Sequence, residues 1–280
     1  MHRRTLVVAT AWLLFASVGQ AAPRLDAPLK QAIKGTQRTA ENSVRDGARH
    51  PYESLAIWGL KPRQTVIELT PGSGYWTEIL GPYAKATKGT YVAGLTDLAN
   101  PKVSEGARKA RAAFEAKYAD TEKYGQVGYV NFGAQSGPLG APGSADIVLT
   151  ARNIHNWLWQ PPMLDKVMAD VFAVLKPGGV LAVEEHRADP RAQIGDARDG
   201  YVAVSTVVNA ATKAGLILEV SSEVNANPKD TKDHPFGVWT LPPNRRSTAD
   251  GRTTDPNFDS RKYDAIGESD RMTLRFRKPL

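Results

Sequence analysis

The sequence predicts an α/β protein in which helices cover both faces of a mostly parallel sheet. Short apolar segments alternate with helical ones along the 280 residues, and the connections between them are short. The composition, 23% charged and 41% hydrophobic, provides for a buried core and excludes a disordered chain or a polytopic membrane protein. The chain has no cysteine, which excludes disulfides, thiolate metal sites and a cysteine nucleophile.

Residues 1–21 have the organisation of a signal peptide. Arg3 and Arg4 precede an uncharged apolar run from Leu6 to Val18, and small residues follow up to Ala21. This run of thirteen residues is shorter than the ~20 that a membrane-spanning helix needs. We therefore predict cleavage after Ala21, no stable membrane insertion afterwards, and a periplasmic or secreted mature protein.

Residues 22–60 are predicted to form an N-terminal helical cap in front of the main domain, residues 61–280. Leu25, Leu29 and Ile33 recur at four-residue spacing, which is typical of one helix face. Pro51 opens a second helix, and Gly59 ends it.

The main domain contains seven predicted strands with helices between most of them. The predicted strands are 65–69, 90–95, 127–132, 146–150, 180–184, 216–222 and 271–278, and the predicted helices are 75–83, 104–118, 162–175 and 201–214. The last strand alternates apolar and polar residues, as an antiparallel strand does. Residues 223–262 form a polar segment that is too long for a simple connecting loop, so we interpret it as a functional insertion.

The turn after the first predicted strand is the most informative segment. Glu68 lies at the end of the strand, and Gly72 and Gly74 lead into the next helix. Glycines let the backbone approach a ligand and expose N–H groups at a helix start. A dinucleotide site needs a further glycine where Thr77 stands, and Glu68 would repel phosphates. The charge of Glu68 favours a cationic cofactor, S-adenosylmethionine, over NAD.

Several motifs together resemble class I S-adenosylmethionine-dependent methyltransferases. The resemblance is narrower to a bacterial group of exported "predicted methyltransferases", and it spans roughly residues 40–280. The motifs that carry it are Arg-His-Pro-Tyr-Glu-Ser-Leu at 49–55, Gly-Tyr-Trp-Thr-Glu-Ile-Leu at 74–80, Leu-Lys-Pro-Gly-Gly at 175–179 and Glu-Ser-Asp-Arg-Met at 268–272.

The resemblance implies a Rossmann-like three-layer sandwich around a seven-stranded sheet. The last strand would be antiparallel and inserted between the fifth and sixth. The cofactor-binding residues that it implies are Glu68, Thr70, Gly72, Gly74, Thr96, Asp97 and Asn153. Two positions depart from the family pattern: Thr70 replaces the usual first glycine, and Thr96 stands where an acidic residue usually holds the ribose, with Asp97 one residue later.

The acceptor is expected beyond the ends of the fourth and fifth strands. There, His155 is a candidate general base, with the alternative that it only bonds a backbone carbonyl inside the fold. Glu184 and His186 share one side of the fifth strand and are the other catalytic candidates. The alternative for this strand end is an ion pair between Glu185 and Arg187. No metal is predicted, because no third ligand stands at ligand spacing. The alternative is that His155, His186 and His234 converge in space with Glu184 and bind one.

The expected substrate-binding residues are Arg49, Asn156, Trp157 and Trp239. Arg49 lies in the helical cap, which the resemblance brings near the site. Trp239, with Pro242 and Pro243, would give the insertion apolar walls over the acceptor.

The predicted function is methyl transfer from S-adenosylmethionine to a small molecule. One alternative is a non-catalytic protein of the same fold that binds the cofactor, and another is an NAD(P)-dependent oxidoreductase. A nucleic-acid partner is not expected, because the basic residues are scattered and no Asn-Pro-Pro-aromatic motif follows the fourth strand.

Overall fold

A computed structural model describes residues 27–190 and 197–280. The predicted signal peptide and the first residues of the predicted cap lie outside these ranges. Within these ranges, no helix is both long enough and apolar enough to cross a bilayer.

Eight strands occur in the described residues, and seven of them form the central sheet. The strands are β1 (Thr65–Leu69), β2 (Thr90–Thr96), β3 (Val127–Phe132), β4 (Ala145–Ala151), β5 (Leu175–His186), β6 (Ile217–Ser222), β7 (Pro235–Val238) and β8 (Arg271–Arg277). Their order in the sheet is β3-β2-β1-β4-β5-β8-β6. Strand β8 lies between β5 and β6 and is antiparallel to both, whereas the remaining pairs are parallel. The predicted sheet, including the inserted last strand, is confirmed.

Helices flank the sheet on both sides. They are α1 (Ala27–Lys34), α2 (Ala40–Ser43), α3 (Asp46–Arg49), α4 (Pro51–Ile57), α5 (Thr77–Thr87), α6 (Glu105–Lys117), α7 (Thr121–Tyr124), α8 (Ile154–Leu158), α9 (Met163–Val174), α10 (Val204–Lys213) and α11 (Arg261–Ile266).

Alternate residues of the strands pack into two separate hydrophobic cores. Met272, Leu274 and Phe276 of β8 join the core under α8, α9 and α10, as their alternation predicts. Ile147 and Leu149 of β4 point the other way, into the core under α1, α4, α5 and α6. The three-layer sandwich expected from the sequence is therefore present.

Two elements differ from their predicted form. The cap contains four short helices where two were predicted; the predicted start at Pro51 is present as the start of α4, and His50, with a φ of 41°, separates α3 from α4. Strand β5 begins at Leu175 rather than Val180, because the Pro-Gly turn lies inside the strand. Its pairing with β4 shifts between Ala145 and Ile147 to accommodate the turn.

The insertion, residues 223–262, is anchored by one buried carboxylate. Asp230 accepts hydrogen bonds from His234 Nε2 at 2.8 Å, from the Tyr201 hydroxyl at 2.9 Å and from the Asp270 backbone N–H at 2.8 Å. The segment contains β7 and the first residues of α11, so it is more ordered than the loop that its composition predicts.

Candidate active site

A cleft of about 500 Å³ opens at the carboxyl ends of β1, β2 and β3. Of the predicted cofactor residues, those that line it are Thr70, Gly72, Thr96 and Asn153. A Cβ at Gly72 would meet no atom within 4 Å, and its φ is +61°. Gly72 therefore leaves its backbone open for a ligand to approach. Thr70 also has a positive φ, 51°, so it adopts the conformation that a glycine would take at this position.

Asn153 holds the two halves of the cleft together. Its side-chain Nδ2 donates to the carbonyl oxygen of Leu69 at 3.0 Å and to that of Ala151 at 3.2 Å. These bonds connect the end of β4 to the end of β1, so the turn that contains Thr70 and Gly72 is fixed by a neighbouring strand.

The other three predicted cofactor residues do not line the cleft. Gly74 lies against α6, where a Cβ would be 1.8 Å from the Tyr118 hydroxyl oxygen. Asp97 accepts a hydrogen bond from the Ala99 backbone N–H at 2.9 Å, inside its own turn. Both therefore shape the backbone around the cleft and do not present a side chain to it.

Glu68 lies behind the cleft, with 2% of its surface exposed. Its carboxyl group accepts hydrogen bonds from the Tyr91 hydroxyl at 2.5 Å and the Thr77 hydroxyl at 3.3 Å. Burial raises the pKa of Glu68 to about 7, although both hydrogen bonds act in the opposite direction. Its carboxyl group is therefore only partly ionised near neutral pH, so the charge on which its predicted role depends is weaker than expected.

A second cavity, of about 840 Å³, adjoins the cleft, and we call it the acceptor cavity. Asn156 and Trp159 line both spaces and therefore mark where they meet. The predicted residues in the acceptor cavity are Arg49, His155, Asn156, His186 and Trp239. Pro242 and Pro243 of the insertion form part of its wall, together with Arg246.

Two predicted residues lie elsewhere. Trp157 lines the cleft instead of the acceptor cavity and packs edge-on against Phe132, with ring centroids 5.9 Å apart. Glu184 is fully buried beside the acceptor cavity and pairs with Arg271 at 3.1 Å.

The carboxylate–histidine pair of the acceptor cavity is formed by Glu185 and His155. Glu185 Oε1 lies 3.0 Å from His155 Nδ1, and its Oε2 accepts from the Ile154 backbone N–H at 2.6 Å. Since an ionised carboxylate only accepts hydrogen bonds, His155 Nδ1 carries the proton, and Nε2 is left as the basic atom. The buried His155 is held in this tautomer, which suits a general base.

Sequence reasoning named Glu184 as the catalytic carboxylate and considered Glu185 only for an ion pair with Arg187, so it missed Glu185 as the partner of His155. Alternation along β5 places the two side chains on opposite faces, but only the packing of α8 decides which face meets a histidine. The alternative ion pair between Glu185 and Arg187 is wrong, because Arg187 pairs with Asp270 at 2.8 Å and with Glu223 at 2.7 Å.

His186 is neutral in this environment. Its Nδ1 lies 2.6 Å from the Ser269 hydroxyl oxygen. Burial, followed by the proximity of His155 and Arg152, lowers the pKa of His186 well below its usual value. His186 therefore contributes a hydrogen-bonding group rather than a charge.

His155, Glu185 and His186 also meet the distance requirement of a metal site, contrary to the spacing argument from the sequence. One ligand atom from each lies within 4.8 Å of the others. However, both Glu185 oxygens already accept backbone N–H groups, from Ile154 at 2.6 Å and His186 at 2.9 Å. The positive charge of Arg152, which lines the same cavity, also opposes the binding of a metal cation here.

Glu268 joins the helical cap to the last strand at the edge of the acceptor cavity. Its carboxylate accepts from Arg45 Nε at 2.5 Å, Arg49 Nε at 3.1 Å and Arg271 Nη1 at 2.7 Å. Although burial opposes it, the charges of Arg49 and Arg271 hold the pKa of Glu268 well below its usual value. These contacts were missed, because Arg45 and Glu268 are 223 residues apart in the sequence.

Comparisons with known proteins identify the fold. No family model matches the sequence, and no curated protein matches it. Among solved structures, the 4+2 cyclase SpnF is 14% identical with a TM-score of 0.56, covering 90% of this chain and 93% of its own.

Two further structures, both described as putative methyltransferases, are similar over most of their length and identify the fold of this chain as that of methyltransferases. A putative sarcosine dimethylglycine methyltransferase from Galdieria sulphuraria is 14% identical, with a TM-score of 0.51 and coverage of 85% of this chain and 86% of its own. A putative methyltransferase from Bacillus halodurans is 18% identical, with a TM-score of 0.50 and coverage of 83% and 100%. Because SpnF is described as a cyclase, the methyltransferase fold alone does not determine the reaction.

Proposed function

We propose that the protein transfers a methyl group from S-adenosylmethionine to a small-molecule acceptor. The observation that carries this proposal is that the cleft and the acceptor cavity meet at Asn156 and Trp159. The cleft has an open glycine turn at the ends of parallel strands, where α/β proteins bind their ligands. The acceptor cavity supplies a base, His155, oriented by a carboxylate.

The residues of the cleft fit the proposed cofactor. Its volume lies within the ~300–1,000 Å³ that is typical of small-molecule sites. Thr70, Gly72 and Asn153 would hold the methionine part, and Thr96 would lie against the ribose. Phe114 and Phe132 provide apolar walls for the adenine ring. When bound, the cofactor supplies an electrophilic methyl carbon on a positively charged sulfur.

The acceptor would lie beside the two tryptophans of its cavity, Trp159 and Trp239, whose ring centroids are 5.8 Å apart. His155 Nε2 would accept the proton of an acceptor hydroxyl or amine while the acceptor's oxygen or nitrogen takes the methyl group, and S-adenosylhomocysteine would leave. Glu185 keeps the ring oriented and stabilises the resulting imidazolium. Positioning supplies the remaining acceleration, because methyl transfer is an in-line displacement.

Titration calorimetry with S-adenosylhomocysteine tests this function, with Gly72→Val and Gly143→Val as matched variants. Both glycines have a positive φ and open space around a Cβ, but Gly143 lies outside both cavities. We expect binding to the wild type and to Gly143→Val, and loss of binding in Gly72→Val. Equal binding by both variants would contradict the site. Binding of NAD instead would support the oxidoreductase alternative.

An acceptor screen separates the enzyme from a non-catalytic binding protein. Candidate hydroxyl, amine and thiol compounds are incubated with S-adenosylmethionine, and formation of S-adenosylhomocysteine is measured. An enzyme forms product with at least one compound, and His155→Gln abolishes that product. Cofactor binding without product across all three acceptor classes would favour the non-catalytic protein.

We propose, on the sequence alone, that residues 1–21 direct export and are removed after Ala21. Mass spectrometry of the N-terminus in a bacterial host tests this. We expect a periplasmic or secreted protein that begins at Ala22. A cytoplasmic protein that retains residues 1–21 would contradict the proposal.

A further inference from the structure

One wall of the acceptor cavity holds more positive than negative charge. Among the described residues, four guanidinium groups meet two carboxylates there. The groups are those of Arg45, Arg49, Arg152, Arg271, Glu184 and Glu268. All six side chains are at most 22% exposed. Buried charges of one sign need a partner of the other.

Arg49 is the group whose charge is least balanced. Its side chain is 1% exposed, and its Nη1 is buried without a hydrogen-bond partner. Its Nε shares Glu268 with Arg45 and Arg271, and its guanidinium lies 4.5 Å from the centre of the Tyr75 ring. Burial, followed by the charge of Arg152, lowers the pKa of Arg49 to about 9, which is the expected result for a cation without a full counter-charge.

Arg152 also lacks a full counter-charge. Its Nη1 is 3.5 Å from Glu184, and that carboxylate is shared with Arg271 at 3.1 Å. Arg152 also has a positive φ of 60°, a backbone conformation that costs energy and is concentrated at functional sites. Both Arg49 and Arg152 line the acceptor cavity.

Another arginine of the cavity is already engaged. Arg246 donates from Nε to the Thr248 carbonyl oxygen at 2.9 Å and also contacts the Ala249 carbonyl. This wall therefore differs from the part of the cavity around Arg246, because Arg49 has an unused donor and Arg152 is only loosely paired.

We propose that Arg49 and Arg152 bind an oxyanion of the methyl acceptor. This inference rests on the proposed function and narrows its substrate class to organic carboxylates or phosphates. The body of the acceptor would be apolar, because Trp159, Trp239 and Leu241 line the same cavity. The acceptor atom that receives the methyl group would then face His155.

The same chemistry has a second source, since the methionine part of the cofactor also carries a carboxylate. The test therefore measures benzoate, which cannot react at a hydroxyl or amine, against its neutral isostere benzamide. Calorimetry is carried out on the whole protein, both free and saturated with S-adenosylhomocysteine. Phenyl phosphate replaces benzoate in a parallel series to separate carboxylate from phosphate acceptors.

We expect benzoate or phenyl phosphate to bind the saturated protein at least about tenfold more tightly than benzamide, as charge-assisted hydrogen bonds imply. Arg49→Gln and Arg152→Gln should each lower the anion affinity about tenfold and leave S-adenosylhomocysteine binding unchanged. Two variants are used so that the test still stands if one of them misfolds, and circular dichroism checks that each is folded. Arg261→Gln is the control, because that side chain is 89% exposed and lies outside the cavity.

Three results would overturn the inference. The first is that benzamide binds as tightly as both anions, and the second is that the two variants leave anion binding unchanged. The third is that the anions compete with S-adenosylhomocysteine. Competition would assign the arginines to the carboxylate of the cofactor. If S-adenosylhomocysteine does not bind at all, the proposed function fails, and anion binding to the free protein that depends on Arg49 would still support an oxyanion site.

Discussion

At the scale of single residues, buried carboxyl groups in this protein differ in the partners that balance them. Glu268 has three guanidinium groups within hydrogen-bonding distance and stays ionised. Glu68 has only the hydroxyl groups of Tyr91 and Thr77, and the pKa of its carboxyl is raised to about 7. This contrast predicts a pH dependence that can be traced to one side chain.

We expect Glu68 to reduce stability as the pH rises from about 4.5 to about 7, the ordinary and raised pKa values. In this window the unfolded chain releases the proton that the folded protein retains, so the free energy of unfolding falls with pH. The loss is up to about 3 kcal/mol. Glu68→Gln should abolish this part of the pH dependence.

Urea unfolding of the wild type and of Glu68→Gln at pH 5 and pH 8 measures the difference. Glu122→Gln serves as the control, since that carboxylate is 94% exposed. An unchanged difference between the two pH values in Glu68→Gln would show that another group is responsible.

His155 and Glu185 are expected to act as one unit. His155→Gln removes the base and should lower kcat by about 10²–10⁴-fold, without changing affinity for S-adenosylhomocysteine. Glu185→Gln should lower kcat less, because the ring keeps a hydrogen-bond partner but loses the charge that stabilises the imidazolium. Steady-state kinetics with an acceptor from the screen measure both effects. Full activity of His155→Gln would exclude its role as the base.

At the scale of elements, the turn after β1 combines two glycines with different duties. A side chain at Gly72 would point into the cleft, whereas one at Gly74 would collide with Tyr118. Sequence spacing identifies both glycines but cannot separate ligand approach from packing, because the separation depends on α6, whose Tyr118 comes 44 residues after Gly74.

We expect Gly74→Ala to lower the free energy of unfolding by more than about 2 kcal/mol, from overpacking and backbone strain together. Gly72→Ala should cost about 1 kcal/mol, since only the positive φ opposes it, and should weaken cofactor binding. Chemical denaturation and calorimetry on the two variants measure these effects. Equal stability of both variants would show that Tyr118 moves aside at little cost.

The insertion should depend on its buried carboxylate. Asp230→Asn replaces a carboxylate that accepts from four donors, including the Lys232 backbone N–H at 3.0 Å, with a group that carries its own N–H donors. We expect a loss of about 3 kcal/mol in the free energy of unfolding, measured by thermal and urea unfolding. Asp233→Asn, an exposed acid in the same segment, should have little effect. A stable Asp230→Asn protein would indicate that β7 and its apolar contacts hold the insertion without Asp230.

Much of the element layout could be predicted from the sequence, and less of the site. Apolar segments and the turn residues that bound them located the seven sheet strands, and the family resemblance gave the position of β8 between β5 and β6. The start of β5 was misplaced, because a Pro-Gly turn can lie within a bulged strand as well as before one. The pairing of Arg45 and Arg49 with Glu268 could not be predicted, since local pattern contains no information on such distant contacts.

At the scale of the whole molecule, the helical cap is part of the core. Leu29 of α1, Leu55 of α4 and Trp58 are at most 5% exposed and pack in the core that contains Val66 and Ile147. We therefore expect residues 61–280 alone to aggregate or to bind hydrophobic dyes, because this apolar face would be open to water. Size-exclusion chromatography and dye binding measure this. A monomeric fragment with native circular dichroism would show that the main domain folds independently.

The position of β8 has a consequence for how the protein is made. Strands β5 and β6 cannot be joined until β8 enters between them, and Glu268 comes shortly before β8 in the sequence. On the ribosome, Arg45 and Arg49 are synthesised long before the carboxylate that pairs with them. A nascent chain therefore has an open sheet and an unfinished cavity wall until β8 has been synthesised, and a premature stop codon before Glu268 would leave both without their last component.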